Sequence, residues 1–222
     1  MRGDTLRKVL PKTIPVFIGY LFLGIGFGIL LKEIGYGFFE VFLMSFFIYA
    51  GSMQFAAISL LKAGASLGTF ALTTLFVNGR HFFYGLAMAD RYKEKGWRKA
   101  LLVHELTDET FALVSSEEDM TSEERLAVSL LDHSYWVLGS LLGVALGTAF
   151  PIPSEGVEFV MTAFFVTVFT DQWLTRKDHI PALCGLFTAI VCRFLFGSGN
   201  FLIPTMLVLT VILLFCSGRK KA

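Results

Sequence analysis

Long apolar blocks, separated by short polar turns, run through almost the whole chain. A membrane-crossing helix needs about 20 apolar residues at 1.5 Å each. On that measure seven spans are predicted, roughly over residues 14–31, 38–61, 66–89, 126–150, 157–175, 180–196 and 201–216. The segment Ala100–Ser116 breaks the pattern. It sets His104, Glu105, Asp108 and Glu109 on one side of a helix, beside Leu102, Leu106, Leu113 and Val114. So many ionisable groups disfavour a lone lipid-facing span. The segment reads as a re-entrant or interfacial helix, with a true eighth span as the alternative. Thr121-Ser122-Glu123-Glu124, with polar cap residues followed by early carboxylates, is a helix start.

Two stretches repeat. Phe46–Phe55 (FFIYAGSMQF) and Phe164–Trp173 (FFVTVFTDQW) align Gln54 with Gln172 and Ser52 with Thr170. Upstream, Gly24-x-x-x-Gly28 is matched by Gly143-x-x-x-Gly147. The expected architecture is therefore an all-α integral membrane protein in one polytopic domain. It has about seven transmembrane helices plus one partial helix, built from two three-helix repeats. Repeat one covers about 14–89, a loop and the partial helix 90–125, repeat two about 126–197, and a final helix 201–217. With three spans between the repeat starts the halves are inverted, the pattern of secondary transporters. If 100–116 spans instead, they are parallel.

Composition agrees. The chain has 222 residues, 55% of them hydrophobic and 17% charged, which places it among polytopic membrane proteins. A net charge of +1 gives no nucleic-acid footprint. Cys184, Cys192 and Cys216 lie inside apolar blocks and read as packing residues. The rule that basic loops stay inside does not orient seven spans cleanly. The Arg91–Lys99 loop, Arg176-Lys177 and the basic C-terminus fit one side, and the basic N-terminus then falls on the other.

Polar groups at membrane depth carry the candidate chemistry. Gly51, Ser52 and Gln54 can open a helix in mid-span, which is tolerated only where protein or a cavity satisfies the freed backbone. Helix-to-helix bonding is the alternative role. Asn78 and Arg80 follow in span three, and an intramembrane arginine is costly unless paired or hydrated. Its planar fork suits a carboxylate, of the protein or of a substrate. With Thr170 and Gln172 these form the expected substrate-binding set. Asp171, His81, Asp108 and Glu109 are the expected proton-coupling set, because histidine titrates near neutrality and a carboxylate in the membrane can hold a proton. The segment bearing His104, Glu105, Asp108 and Glu109 is also expected to fold into the bundle and pair with Arg80 or Arg193. No metal pattern of the His-Glu-x-x-His kind occurs, so no metal or cofactor is expected. No nucleophile turn supports the alternative of a membrane enzyme.

The ordered set Ala50-Gly51-Ser52-Met53-Gln54-Phe55, Asn78-x-Arg80-His81 with Tyr84-Gly85, Leu106-Thr107-Asp108-Glu109-x-Phe111, and Asp171-Gln172-Trp173 resembles the AzlC family. The likeness runs from about Pro15 to Leu214. It implies the large subunit of a bipartite exporter of branched-chain amino acids (leucine, isoleucine, valine, extending to methionine). It also implies a small AzlD-type membrane subunit as partner and a multi-pass position in the cytoplasmic membrane. Coupling to the proton gradient is expected because a zwitterion carries no net charge. Transport of another small polar solute is the alternative.

Overall fold

A computed structural model describes residues 3–117, 119–150, 159, 162–163, 166–167, 169–170, 173–174, 178–201, 204–205, 207–209 and 211–212. Secondary structure among them is entirely helical. By their contacts the residues form two compact units, Met1–Ala65 with Val77–Met161, and Ser66–Phe76 with Thr162–Ala222.

The frame of the first unit is a pair of long helices, α1 (Gly3–Glu33) and α7 (Ser122–Ala149). Their contacts advance in step along both chains, so they run parallel. Phe17 meets Tyr135 at 4.9 Å and Tyr20 meets Trp136 at 5.5 Å. Further on, Gly24 abuts Gly139 and Ser140, Gly28 abuts Ser140 and Gly143, and Gly147 packs on Lys32. A Cβ at Gly28 would lie 2.1 Å from the Ser140 carbonyl oxygen, and one at Gly143 would lie 2.2 Å from that of Ile25. The two backbones touch, as small residues permit in membrane bundles. The matched glycine motifs are thus packed near one another on parallel helices. Inverted halves would put counterparts antiparallel, so these motifs do not mark counterparts in inverted repeats.

Residues 38–61 depart from the expected crossing helix. The chain forms α2 (Phe38–Leu43), a π-helical turn over Met44–Ile48, a break at Tyr49 and Ala50, and α3 (Gly51–Lys62). Tyr49 takes a left-handed conformation (φ 40°), which is costly for a residue with a side chain. α3 runs parallel to α1. Phe55 meets Phe27 at 5.7 Å, and Lys62 pairs with Glu33 at 3.9 Å, where α1 ends and α2 is about to begin. The segment therefore enters and leaves at the same end of α1 as a helical hairpin.

The partial helix is a second hairpin. It consists of α5 (Trp97–His104), a turn at Glu105–Thr107, and α6 (Asp108–Ser116). α6 lies in step beside α4 (Leu67–Met88). Asp108 meets Arg80 and Tyr84, Phe111 stacks on Tyr84 at 4.4 Å, and Val114 and Ser115 accept hydrogen bonds from Arg91. The outer end of this hairpin sits with the start of α1. Leu102 and Val114 share a core with Val9, Met88, Tyr92, Ala127 and Val128, and Lys12 pairs with Glu117. The hairpins thus enter from opposite ends of the α1–α7 pair, and their tips touch. His104 Nε2 at the second tip lies 3.1 Å from the Phe47 carbonyl oxygen of the first.

The helix start foreseen at Thr121 is a reciprocal cap. Thr121 Oγ1 accepts from the Glu124 N–H, and Glu124 accepts from the Thr121 N–H at 2.9 Å. Thr121→Ala should cost about 1 kcal/mol, read as a lower melting temperature of the purified protein. These bonds from Thr121 hold the Glu124 carboxyl below its ordinary range. Its folded value is depressed, so its contribution is present above the unfolded value and is lost as pH falls through the folded one. Thr121→Ala should therefore flatten the acid limb of the stability profile.

In the second unit, α8 (Ile180–Asn200) starts with a proline in its first turn and kinks at Gly197, where φ is 76°. Residues 180–197 are long and apolar enough to cross a membrane, as is most of α1. Arg193 lies over the Phe201 ring at 5.8 Å.

Candidate functional site

The break before Gly51 starts a helix in the interior of the first unit. The first N–H groups of a helix have no partner within it and carry partial positive charge. At α3 these belong to the Gly51–Met53 turn, since the Gln54 N–H already bonds the Ala50 carbonyl. Gln54 is buried, and its Oε1 accepts from the Ala50 N–H at 3.1 Å, which holds the break. Its Nε2 has no partner among the described residues. Gly51 lets the Trp136 indole lie over the turn, 3.3 Å from where a Cβ would be.

Arg80 faces this helix start. Its Nη2 donates to Ser52 Oγ at 2.9 Å, its Nε to Asp108 Oδ1 at 2.8 Å, and its Nη1 to the Val77 carbonyl at 3.1 Å. Tyr84 donates to the same Asp108 oxygen at 2.7 Å. One guanidinium therefore links the starts of α3 and α6, one from each hairpin. Arg80 and Asp108 are both partly exposed, at 37% and 42% of their side chains. Ser52 meets a cation here rather than a base, which does not suit a nucleophile.

Behind this pair lies a buried polar layer. Glu105 Oε1 and Oε2 lie 3.0 and 2.9 Å from His133 Nδ1, and the Tyr49 ring stacks on His133 at 4.2 Å. His104 Nδ1 is 3.3 Å from Glu105 Oε1. A hydrogen bond from His104 to the Phe47 carbonyl uses the Nε2 proton. A bond between His104 Nδ1 and Glu105 then needs a second proton, on the imidazole or on the carboxyl. Beside this group, Tyr20 is hydrogen-bonded to Glu109 and Thr107, and Thr110 to Asp132.

Of the expected substrate residues, Gly51, Ser52, Gln54 and Arg80 come together at the two hairpin tips. Asn78 lies two residues before Arg80 on α4, and its buried Oδ1 has no partner among the described residues. Thr170 belongs to the second unit, where it is exposed and its hydroxyl donates to the Val166 carbonyl. Gln172 and Asp171 lie outside the described residues. Of the proton candidates, Asp108 and Glu109 join the site, and His81 has its ring 5.7 Å from that of Tyr84. No cluster of three potential metal ligands occurs among the described residues.

Sequence reasoning put His104 and Glu105 on the polar side of the partial helix but outside the proton-coupling set, it placed Asp132 and His133 near the start of the span 126–150 without a site role, and it passed over Tyr20. A signal was present. An acid–histidine pair a few residues into an apolar block, as Asp132-His133 is, is costly in a membrane unless it is satisfied inside the bundle.

The chain is 42% identical over 212 residues to an uncharacterized membrane protein of Helicobacter pylori strain J99, covering 94% of this chain and 93% of that one. It is 38% identical over 211 residues to the branched-chain amino acid transport protein AzlC of Bacillus subtilis, covering 93% and 83%. Inner membrane protein YgaZ of Escherichia coli is more distant, 26% identical over 219 residues, covering 94% and 87%. No solved structure matches. The family model for AzlC protein matches residues 15–150, the stretch that holds both hairpins and both long helices, and the chain is a membrane protein of the AzlC family.

Proposed function

We propose that the chain is the large subunit of a proton-coupled exporter of branched-chain amino acids in the cytoplasmic membrane, working with a small AzlD-type subunit. The observation that supports this most is the meeting of two interrupted helices at one arginine. The substrate carboxylate would lie at the start of α3, bonded by Ser52 and Arg80, because helix N-termini and guanidinium groups both favour carboxylates. The substrate ammonium would lie toward Asp108 and Glu109, which the break places in the first turn of α6. Interrupted helices around a midplane site are how secondary transporters hold charged solutes. The expectation of transport also rests on the name of the Bacillus subtilis relative. The test is efflux of preloaded labelled leucine, isoleucine, valine and methionine from cells making this chain with its small partner. Efflux no faster than from cells lacking both would refute the reading, and efflux of unrelated solutes alone would favour another substrate.

The hairpins also support an orientation within this proposal. Arg7, Lys8 and Lys12 lie at the α1 end that carries the Arg91–Lys99 loop. Both basic segments then face the cytoplasm, as the charge rule asks. In a background without native cysteines, single cysteines at Lys93 and Asp119 are expected to react only from inside. One at Ala63 is expected to react only from outside. Labelling of Ala63 and Lys93 from the same face would refute the hairpin topology.

A further inference from the structure

The geometry points to a single proton shared between Glu109 and Asp132 through a chain of three hydroxyls, and we propose that this chain is the coupling element of the transporter. The inference rests on the transport reading above. The chain runs Glu109, Tyr20, Thr107, Thr110, Asp132. Tyr20 OH is 2.7 Å from Glu109 Oε2 and 2.7 Å from Thr107 Oγ1, Thr107 Oγ1 is 3.2 Å from Thr110 Oγ1, and Thr110 Oγ1 is 2.9 Å from Asp132 Oδ2. Asp132 and Thr110 are 0% exposed, Tyr20 5% and Thr107 6%, while Glu109 is half-buried. The chain thus leads from the edge of the Arg80–Asp108 site into the closed interior of α7.

Counting donors decides what the chain holds. There are four links, and each needs one proton. A hydroxyl supplies one proton and an ionised carboxylate supplies none. The backbone N–H of Thr110 points at Thr107 Oγ1, as a cap requires, and adds nothing to the links between side chains. With both carboxylates ionised, three protons serve four links, and two oxygens face each other with none between them. With both protonated, five protons crowd four links. One added proton fits. If Glu109 carries it, every bond points toward Asp132: Glu109 donates to Tyr20, Tyr20 to Thr107, Thr107 to Thr110, and Thr110 to ionised Asp132. If Asp132 carries it, every bond points the other way.

The two states interconvert by four concerted proton shifts. The Glu109 O–H bond breaks as Tyr20 gains that proton. Tyr20 passes its own to Thr107, Thr107 to Thr110, and Thr110 to Asp132, where a new O–H bond forms. One proton has moved, each hydroxyl still has one, and no electron is transferred. The charged or titratable groups around the chain are Asp108 paired with Arg80 on the Glu109 side, and Tyr49 and Glu105 with His133 and His104 on the Asp132 side. The Asp132 Oδ1 atom has no partner among the described residues.

The test is infrared spectroscopy of the purified protein, read at the carboxylic-acid C=O stretch in H2O and D2O. An amide in place of either acid brings its own N–H and fills the fourth link without an added proton. Asp132→Asn and Glu109→Gln are therefore each expected to remove the same protonated-carboxyl band. A proton fixed on one residue would give loss in one variant only, and that result, or loss in neither, would overturn the proposal. Independently, Tyr20→Phe removes the hydroxyl between Glu109 and Thr107. In proteoliposomes it is expected to lower pH-driven uphill efflux of labelled leucine about a hundredfold, the scale of a lost proton-transfer group, while leucine–leucine exchange continues. Unchanged pH-driven efflux would overturn the proposal even where an amide variant fails to fold. If the wild type moves no amino acid at all, the transport reading fails, and the infrared result still decides whether the proton is shared.

Discussion

Arg80→Lys should reach the membrane folded and lose at least about tenfold of its leucine efflux. The guanidinium makes three bonds in three directions, to Ser52, Asp108 and the Val77 carbonyl. An ammonium on a flexible stem cannot hold this fork. Hydrogen bonds to charged groups contribute about 1.5–3 kcal/mol each when buried. Arg80 and Asp108 are partly exposed, so the stability lost should be smaller, on the order of 1 kcal/mol. The transport loss should exceed it, because the same fork joins both hairpins and, in the proposed binding mode, bonds the substrate carboxylate. Efflux assays at matched expression measure this. Normal efflux would reduce Arg80 to a link between helices.

Gly28→Ala and Gly143→Ala should destabilise the protein by about 3 kcal/mol or more, the upper end of overpacking costs. The added methyl would meet a carbonyl oxygen of the facing helix at 2.1 or 2.2 Å, and backbone cannot rotate aside. The helices would have to separate along the length that seats Tyr20 and Trp136. Gly19→Ala on the same helix is the control, since nothing lies within 4 Å of its new methyl. It should be neutral or gain up to about 1 kcal/mol, the helix preference of alanine over glycine. Thermal melts in detergent separate the two outcomes. Equal melting temperatures for Gly19→Ala and Gly28→Ala would show that the contact contributes nothing.

The apolar blocks made the all-helical membrane class legible, and the cost of Arg80 in a bilayer made a pairing between an arginine and the acidic segment legible, though not which carboxylate would take part. The first hairpin was not, because hydropathy measures whether a segment avoids water and not whether it turns back. Residues 38–61 have the length of a crossing, and the turn rests on one left-handed residue, Tyr49, and a π-helical stretch. Gly51, Ser52 and Gln54 marked where a helix could open, but neither Tyr49 nor the π-helical stretch has a residue-type signature for turning back. Counting that segment as a crossing is also why the basic N-terminus and the Arg91–Lys99 loop fell on opposite sides. The second hairpin was readable because its tip carries ionisable groups. The buried hydroxyl chain was not, because tyrosine and threonine are common in any apolar helix, and only the fold shows that three of them stand in line.

The opposed hairpins also have an electrical consequence. Each tip ends inside the bundle, so a charge entering from either face passes through only part of the transmembrane voltage before it meets Arg80 or Glu109. Moving one elementary charge across the full drop is worth about 2.3 kcal/mol per 100 mV. A carrier whose charged groups sit partway divides that energy between its two half-cycles. Export should then respond to membrane voltage even when the two sides are held at equal pH.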